Sequence, residues 1–102
     1  MDYRVIISKP ALGDLEAIAR FIAHSVHGSP TVALKIGEEL IGMAESLATL
    51  PHRGAAVHRR PGLRKLSHRY YLIFYQVNET ARIVEIVRIW DGRQNPSGLI
   101  LP

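Results

Sequence analysis

Residues 29–51 read SPTVALKIGEELIGMAESLATLP, and the reading of this stretch decides the fold. Val32, Ile36, Leu40, Met43, Leu47 and Leu50 recur at steps of 4, 4, 3, 4 and 3, the spacing that gathers side chains into one stripe of a helix. Ser29 can accept from the free N–H groups of the first turn. Pro30 sits where a missing N–H costs little, and Pro51 cannot continue the ladder. The preceding segment repeats the pattern: Ser8 and Pro10 open it, Leu12, Leu15, Ile18, Ala19, Ile22 and Val26 step by three and four, and Gly28 closes it. A link of about three residues leaves two such helices little choice but an antiparallel hairpin.

An apolar stripe on each helix needs a surface to cover, and the flanking sequence supplies strands. Tyr3 to Ile7 is rich in β-branched residues and precedes the first helix. After a loop from His52 to Gly62, punctuated by Gly54 and Pro61-Gly62, Leu63 to Leu66 reads as a short strand. Tyr70 to Val77 is aromatic or aliphatic almost throughout, and Asn78-Glu79-Thr80-Ala81 turns the chain. Ile83 to Trp90 then returns, apolar on both faces apart from Glu85 and Arg88, as a central strand would be. The expected fold is α+β, in the order β-α-α-β-β-β, with the helical hairpin packed on a small, mainly antiparallel sheet. Residues 1–102 read as one domain, with no repeat or linker. The apolar terminus Leu99-Ile100-Leu101 has no evident place in this scheme.

Charge divides the chain in half. Residues 1–51 hold four Lys/Arg against six Asp/Glu, whereas residues 52–102 hold nine against three, and no acid occurs from Ser46 through Asn78. Arg53, Arg59, Arg60, Arg64, Lys65 and Arg69 all lie in that acid-free stretch. Such a field suits a polyanion or an acidic protein segment, although a solvated surface explains it as well. Cysteine is absent, which excludes disulfides and thiol chemistry and fits a reducing compartment. Neither a signal peptide nor an apolar run of membrane-spanning length is evident, so the expected location is the cytoplasm and no membrane partner is expected. The histidines lack partner carboxylates at ligand spacing, and no metal or cofactor is expected.

Several segments carry a resemblance by their order and spacing. They are Tyr3-Arg4-Val5 leading to Ser8, Pro10-Ala11, Asp14-Leu15 and Ile18; Leu50-Pro51 before Gly54; and Gly62-Leu63-Arg64 ahead of Tyr71 to Val77. The run from Val84 through Trp90-Asp91-Gly92-Arg93 to Pro96 completes them. Over residues 3–96 the chain resembles the RelE/ParE superfamily of toxins from bacterial type II toxin–antitoxin systems, in its ParE-like, plasmid-stabilisation branch. That resemblance implies a cognate antitoxin protein as partner and a toxin–antitoxin hetero-oligomer. It also implies one of two activities: RelE-type toxins cut mRNA within the ribosome, while ParE-type toxins poison DNA gyrase.

The residues must choose between these branches. Cleaving RNA requires a deprotonated 2′-hydroxyl, a stabilised phosphorane and a protonated leaving oxygen. By resemblance, Lys65 and Arg93 fall where RelE-type nucleases hold a lysine and an arginine, and His68 is a candidate general base. Leu72, however, stands where the nucleases place a phosphate-binding arginine, and no tyrosine or histidine follows Arg93. A set missing one member is a poor catalyst, because such groups act as a unit. The length of the two helices also matches the ParE branch. The favoured expectation is therefore a toxin that works by binding, with Arg59, Arg60, Arg64, Arg69, Trp90 and Arg93 as candidate contacts for the target or for nucleic acid. The nuclease remains the alternative, and a non-toxic antitoxin-binding or repressor subunit is a second. His68 also reads as an exposed strand-entry residue, Trp90 as a cap on the core at a sheet edge, and the helix stripes as core packing.

Overall fold

The computed structural model describes residues 2–25 and 27–101. Strand β1 (Arg4–Ile7) leads into helix α1 (Lys9–Ala23) and helix α2 (Pro30–Glu45), which a short 3-10 turn, Ser46–Ala48, extends. Strands β2 (Ala55–Ala56), β3 (Leu63–His68), β4 (Tyr71–Asn78) and β5 (Ile83–Asp91) follow, and a last 3-10 turn spans Pro96–Gly98. The five strands lie in the order β1-β5-β4-β3-β2; β1 runs parallel to β5, and the other pairs are antiparallel. This is the expected α+β architecture, with one two-residue strand added inside the loop from His52 to Gly62.

Both expected caps form. The Ala11 N–H donates to Ser8 Oγ at 3.3 Å, and the Val32 N–H donates to Ser29 Oγ at 3.2 Å. The helix ends are earlier than the apolar periods suggest. α1 stops at Ala23, with the Ser25 hydroxyl donating to Ile22 O at 3.0 Å. Gly28 then comes so close to that carbonyl that a Cβ would stand 1.9 Å from its oxygen, which is why the chain turns at a glycine. The resulting link is longer than the three residues expected, and Val26 lies outside the described residues. α2 gives way at Ser46, whose hydroxyl donates to Met43 O at 2.5 Å and accepts from the Arg53 guanidinium at 2.6 Å.

The helices cover one face of the sheet. Ala11, Ile22, Ala33, Ile36, Leu40, Ala44 and Leu47 are buried there against Tyr71, Ile73, Tyr75, Val84, Ile86 and Ile89. The buried seam is rotated slightly from the expected stripe: Leu12, Val32 and Leu50 are exposed, while the small Ala11, Ala33 and Ala44 are buried. Alanine permits the close approach that a leucine stripe would forbid, a preference no periodicity count reveals. Under this core the Tyr75 hydroxyl accepts from the Gly54 N–H at 2.9 Å. A Cβ at Gly54 would lie 2.5 Å from that oxygen and 2.8 Å from Lys65 O, so only glycine lets the loop seat here.

The opposite face is apolar as well. Leu63, Phe74 and Val87 are buried on it, with Val57, Leu72, Trp90, Leu99 and Leu101 packed against them. The sheet register slips between Phe74 and Tyr75, which face Arg88 and Ile86, so Val87 is the extra residue of a bulge. Trp90 therefore does not cap the helix-side core at a sheet edge. It sits opposite Leu72 on the other face, and the terminal segment passes over its ring, where a Cβ at Gly98 would come within 3.4 Å. Past the end of β1 the margin of β5 would be open, and α1 closes it. Asp14 accepts from the Ile89 N–H at 2.9 Å and holds the Arg88 guanidinium by two bonds of 2.8 and 2.9 Å. This explains a charge in the middle of an apolar strand.

Candidate functional site

The basic residues singled out from sequence gather at opposite ends of β3. The five steps between its first and last residues, at about 3.3 Å each, separate the ends by about 17 Å. At the entry to β3, Arg59 and Arg60 are exposed in the preceding loop, and Arg59 takes a φ of 60°. Neither side chain has a partner among the described residues. Arg64 is occupied: its guanidinium donates to Gly54 O at 2.8 Å and to His52 O at 3.2 Å, pinning the loop to the sheet.

At the exit from β3, a two-residue turn carries Arg69 and Tyr70. Arg69 has a φ of 56°, a region that suits glycine and strains other residues. Its Nε donates to Glu39 Oε1 at 3.0 Å, and His68 Nε2 lies 2.7 Å from the same oxygen. The hydrogen bond from Arg69, seconded by that from His68, holds the Glu39 carboxyl at about 2, well below its ordinary 4.5. Next to it, Arg93 donates to both oxygens of Asp91 at 2.9 and 2.7 Å, and its backbone N–H adds a third bond. These bonds keep Asp91 below the usual carboxylate range and raise Arg93 further. The Arg93 guanidinium lies 3.8 Å from the centre of the Tyr70 ring, a cation–π stack. Burial pushes the neighbouring Tyr71 hydroxyl up.

The three residues of the nuclease alternative do not converge. Lys65 and His68 are three apart on one strand and so project from opposite faces: Lys65 with Leu63, away from the helices, and His68 toward Glu39 on α2. Arg93 follows β5 and is bound to Asp91. Leu72 packs in the apolar cluster with Trp90 under the chain terminus. Sequence reasoning missed the two anchoring carboxylates. Asp91 is two residues from Arg93 and could have been noticed, whereas Glu39 is far from Arg69 along the chain and no local signal joins them. Phe21, exposed on α1, lines a cleft with Tyr70, a place the sequence does not signal because an aromatic residue on an amphipathic helix reads as core. Among the described residues, no group of three or more His, Asp or Glu could hold a metal ion, and no helix is long and apolar enough to cross a membrane.

The family model of the ParE toxin of the type II toxin–antitoxin system, parDE, matches residues 5–96. The chain belongs to this family. A chain of the chromosomal ParDE system from P. aeruginosa superposes on this ParE-family toxin with a TM-score of 0.72, at 22% identity over 85% of this chain and 92% of that one. The RelBE2 toxin–antitoxin complex of Mycobacterium tuberculosis gives 0.68 at 20% identity, covering 87% and 96%. The isolated E. coli RelE toxin gives 0.56 at 17% identity, covering 94% and 90%. No curated relative matches in sequence. At such identities the likeness establishes the fold alone, and ParDE and RelBE members share it, so the fold does not select an activity.

Proposed function

We propose that this ParE-family toxin arrests growth in the cytoplasm by binding and poisoning DNA gyrase, and that a cognate antitoxin protein neutralises it in a hetero-oligomer. One observation carries the choice of a binding mechanism: Lys65 projects from the sheet face opposite to His68, and His68 and Arg93 are each engaged by a carboxylate. Phosphoryl chemistry needs its groups around one phosphate, and scattered members cannot act as a unit. The apolar cluster around Leu72 supports the same reading, since it fills the sheet face where RelE-type nucleases array their cations. The likeness to chains of a ParDE system and a RelBE2 toxin–antitoxin complex supports the antitoxin as partner.

Supercoiling and cleavage assays on purified gyrase test the target, beside primer extension on translated message with the toxin added. Gyrase inhibition without codon-dependent cuts is expected. Clean cuts at the ribosomal A site that vanish in Lys65→Ala or Arg93→Ala would replace this reading with the nuclease. A chain that neither arrests growth nor touches gyrase, yet still captures its antitoxin, would mark a non-toxic repressor subunit.

A further inference from the structure

The cleft between α1 and the β3–β4 turn holds an unusual combination of groups. Phe21 is 65% exposed on α1 and Tyr70 is 48% exposed in the turn, and both line a cleft of about 310 Å³ with Ile22 and Ile36 also in its wall. Arg69 and Arg93 border the same cleft. Their side chains are 48% and 49% exposed, while the carboxylates that hold them, Glu39 and Asp91, are only 24% and 9% exposed. The donors therefore face outward and the acceptors lie beneath. Both guanidinium groups are fixed before anything binds, Arg93 doubly so by its stack on Tyr70.

From these groups we infer that the Phe21–Tyr70–Arg69–Arg93 cleft is the surface that grips the toxin's protein target, receiving a bulky apolar side chain flanked by neutral carbonyl oxygens. The inference rests on the binding reading above and deepens it. Exposed tyrosine and arginine around an apolar pocket are the composition that dominates protein interfaces, and fixed side chains lose little entropy on association. The complementarity is specific: guanidinium N–H groups that face outward over carboxylates turned beneath them suit a partner that brings acceptors. A nucleic acid fits less well, because each arginine already has a carboxylate within 3.0 Å and a phosphate would compete for neutralised charge. The strained turn agrees with a functional role, since an arginine keeps a φ of 56° where glycine would sit without strain.

The test uses the full chain carrying Phe21→Asp or Tyr70→Ala, with Leu34→Asp as control, a residue 64% exposed on α2 and outside the cleft. The readouts are the toxin concentration that halves gyrase supercoiling, growth arrest on induction, and thermal melting. Phe21→Asp and Tyr70→Ala should each raise the half-inhibiting concentration about tenfold or more with melting preserved, and Leu34→Asp should stay near wild type. Phe21→Ser repeats the measurement should the aspartate variant melt early. Wild-type potency in both cleft variants overturns the inference. If the wild type leaves gyrase untouched, the proposed target fails separately, and growth arrest decides the cleft: arrest lost in both cleft variants but kept in Leu34→Asp upholds it, and arrest kept throughout overturns it. Binding of a labelled single-stranded RNA by the wild type, lost in Tyr70→Ala, would make the cleft a nucleic-acid site and also overturn it.

Discussion

On one face of the sheet, Tyr71, Ile73, Tyr75, Val84, Ile86 and Ile89 lie under two capped helices. On the other, Leu63, Phe74 and Val87 lie under little more than the chain terminus, with Leu99 and Leu101 as the covering side chains. The two faces are similar in chemistry and different in cover. The helices and the turn that extends α2 spread their contacts over seven buried side chains and many backbone bonds, so their removal is cooperative. A terminal segment has few ties: the Arg88 guanidinium donates to Ile100 O at 3.0 Å, and two half-buried leucines rest on the cluster. The first face should therefore govern whether the chain folds, and the second should govern a local covering that can loosen without unfolding.

The most damaging change should fall on the helix side. Leu40 is fully buried on α2, and Leu40→Ala leaves a cavity that costs about 2–5 kcal/mol, read from the denaturant midpoint. On the other face, the double change Leu99→Ser with Leu101→Ser should cost only about 1–2 kcal/mol, because both side chains are partly exposed already. Trp90 is the chain's one tryptophan and packs in that cluster, so its emission should move to the red in the double variant even at full folding. A double variant as destabilised as Leu40→Ala would erase the contrast between the faces. Should the emission fail to move, the terminus is not the cover of the indole.

The smallest effect concerns the junction of helix and sheet, where Glu39 joins α2 to the β3–β4 turn. Its carboxyl is held at about 2 instead of 4.5, so folding favours the ionised form. The contribution is fully present above 4.5 and is lost as pH falls through 2. The melting-temperature gap between wild type and Glu39→Gln should accordingly be widest at neutral pH and close on acidification. It should be modest throughout, because the pair is partly solvated and screened. A gap that persists undiminished to pH 2 would assign the stabilisation to packing of the side chain, not to its charge.

Much of this architecture was legible because it is written in short-range pattern. Ser8 and Ser29 cap their helices as their positions before Pro10 and Pro30 imply, and the run Tyr71 to Asn78 pairs as a strand between two others. These signals depend on residues within a few places of one another, and backbone hydrogen bonding makes them self-sufficient. Legibility fell where two distant segments had to meet. The rotated helix seam depends on how closely α1 and α2 approach the sheet, and the bulge at Val87 depends on the register of β4 against β5.

The candidate site shows that limit most directly. From the sequence alone, Arg59, Arg60, Arg64, Arg69 and Arg93 are equivalent members of one basic half-chain, and the family and element order follow from their context. The tertiary structure made them unequal: it turned Arg64 onto two loop carbonyls, set Arg69 on Glu39 and Arg93 on Asp91, and left Arg59 and Arg60 in the solvated loop. The terminus Leu99-Ile100-Leu101 likewise found its place only when the bulged sheet offered Phe74 and Val87 to cover. Sequence fixes which groups a chain carries and which backbone segments they ride on. Which charge meets which carboxylate, and which apolar segment covers which face, is decided by packing, because ion pairs and dispersion contacts need atoms brought close in space, which distance along the chain does not reveal.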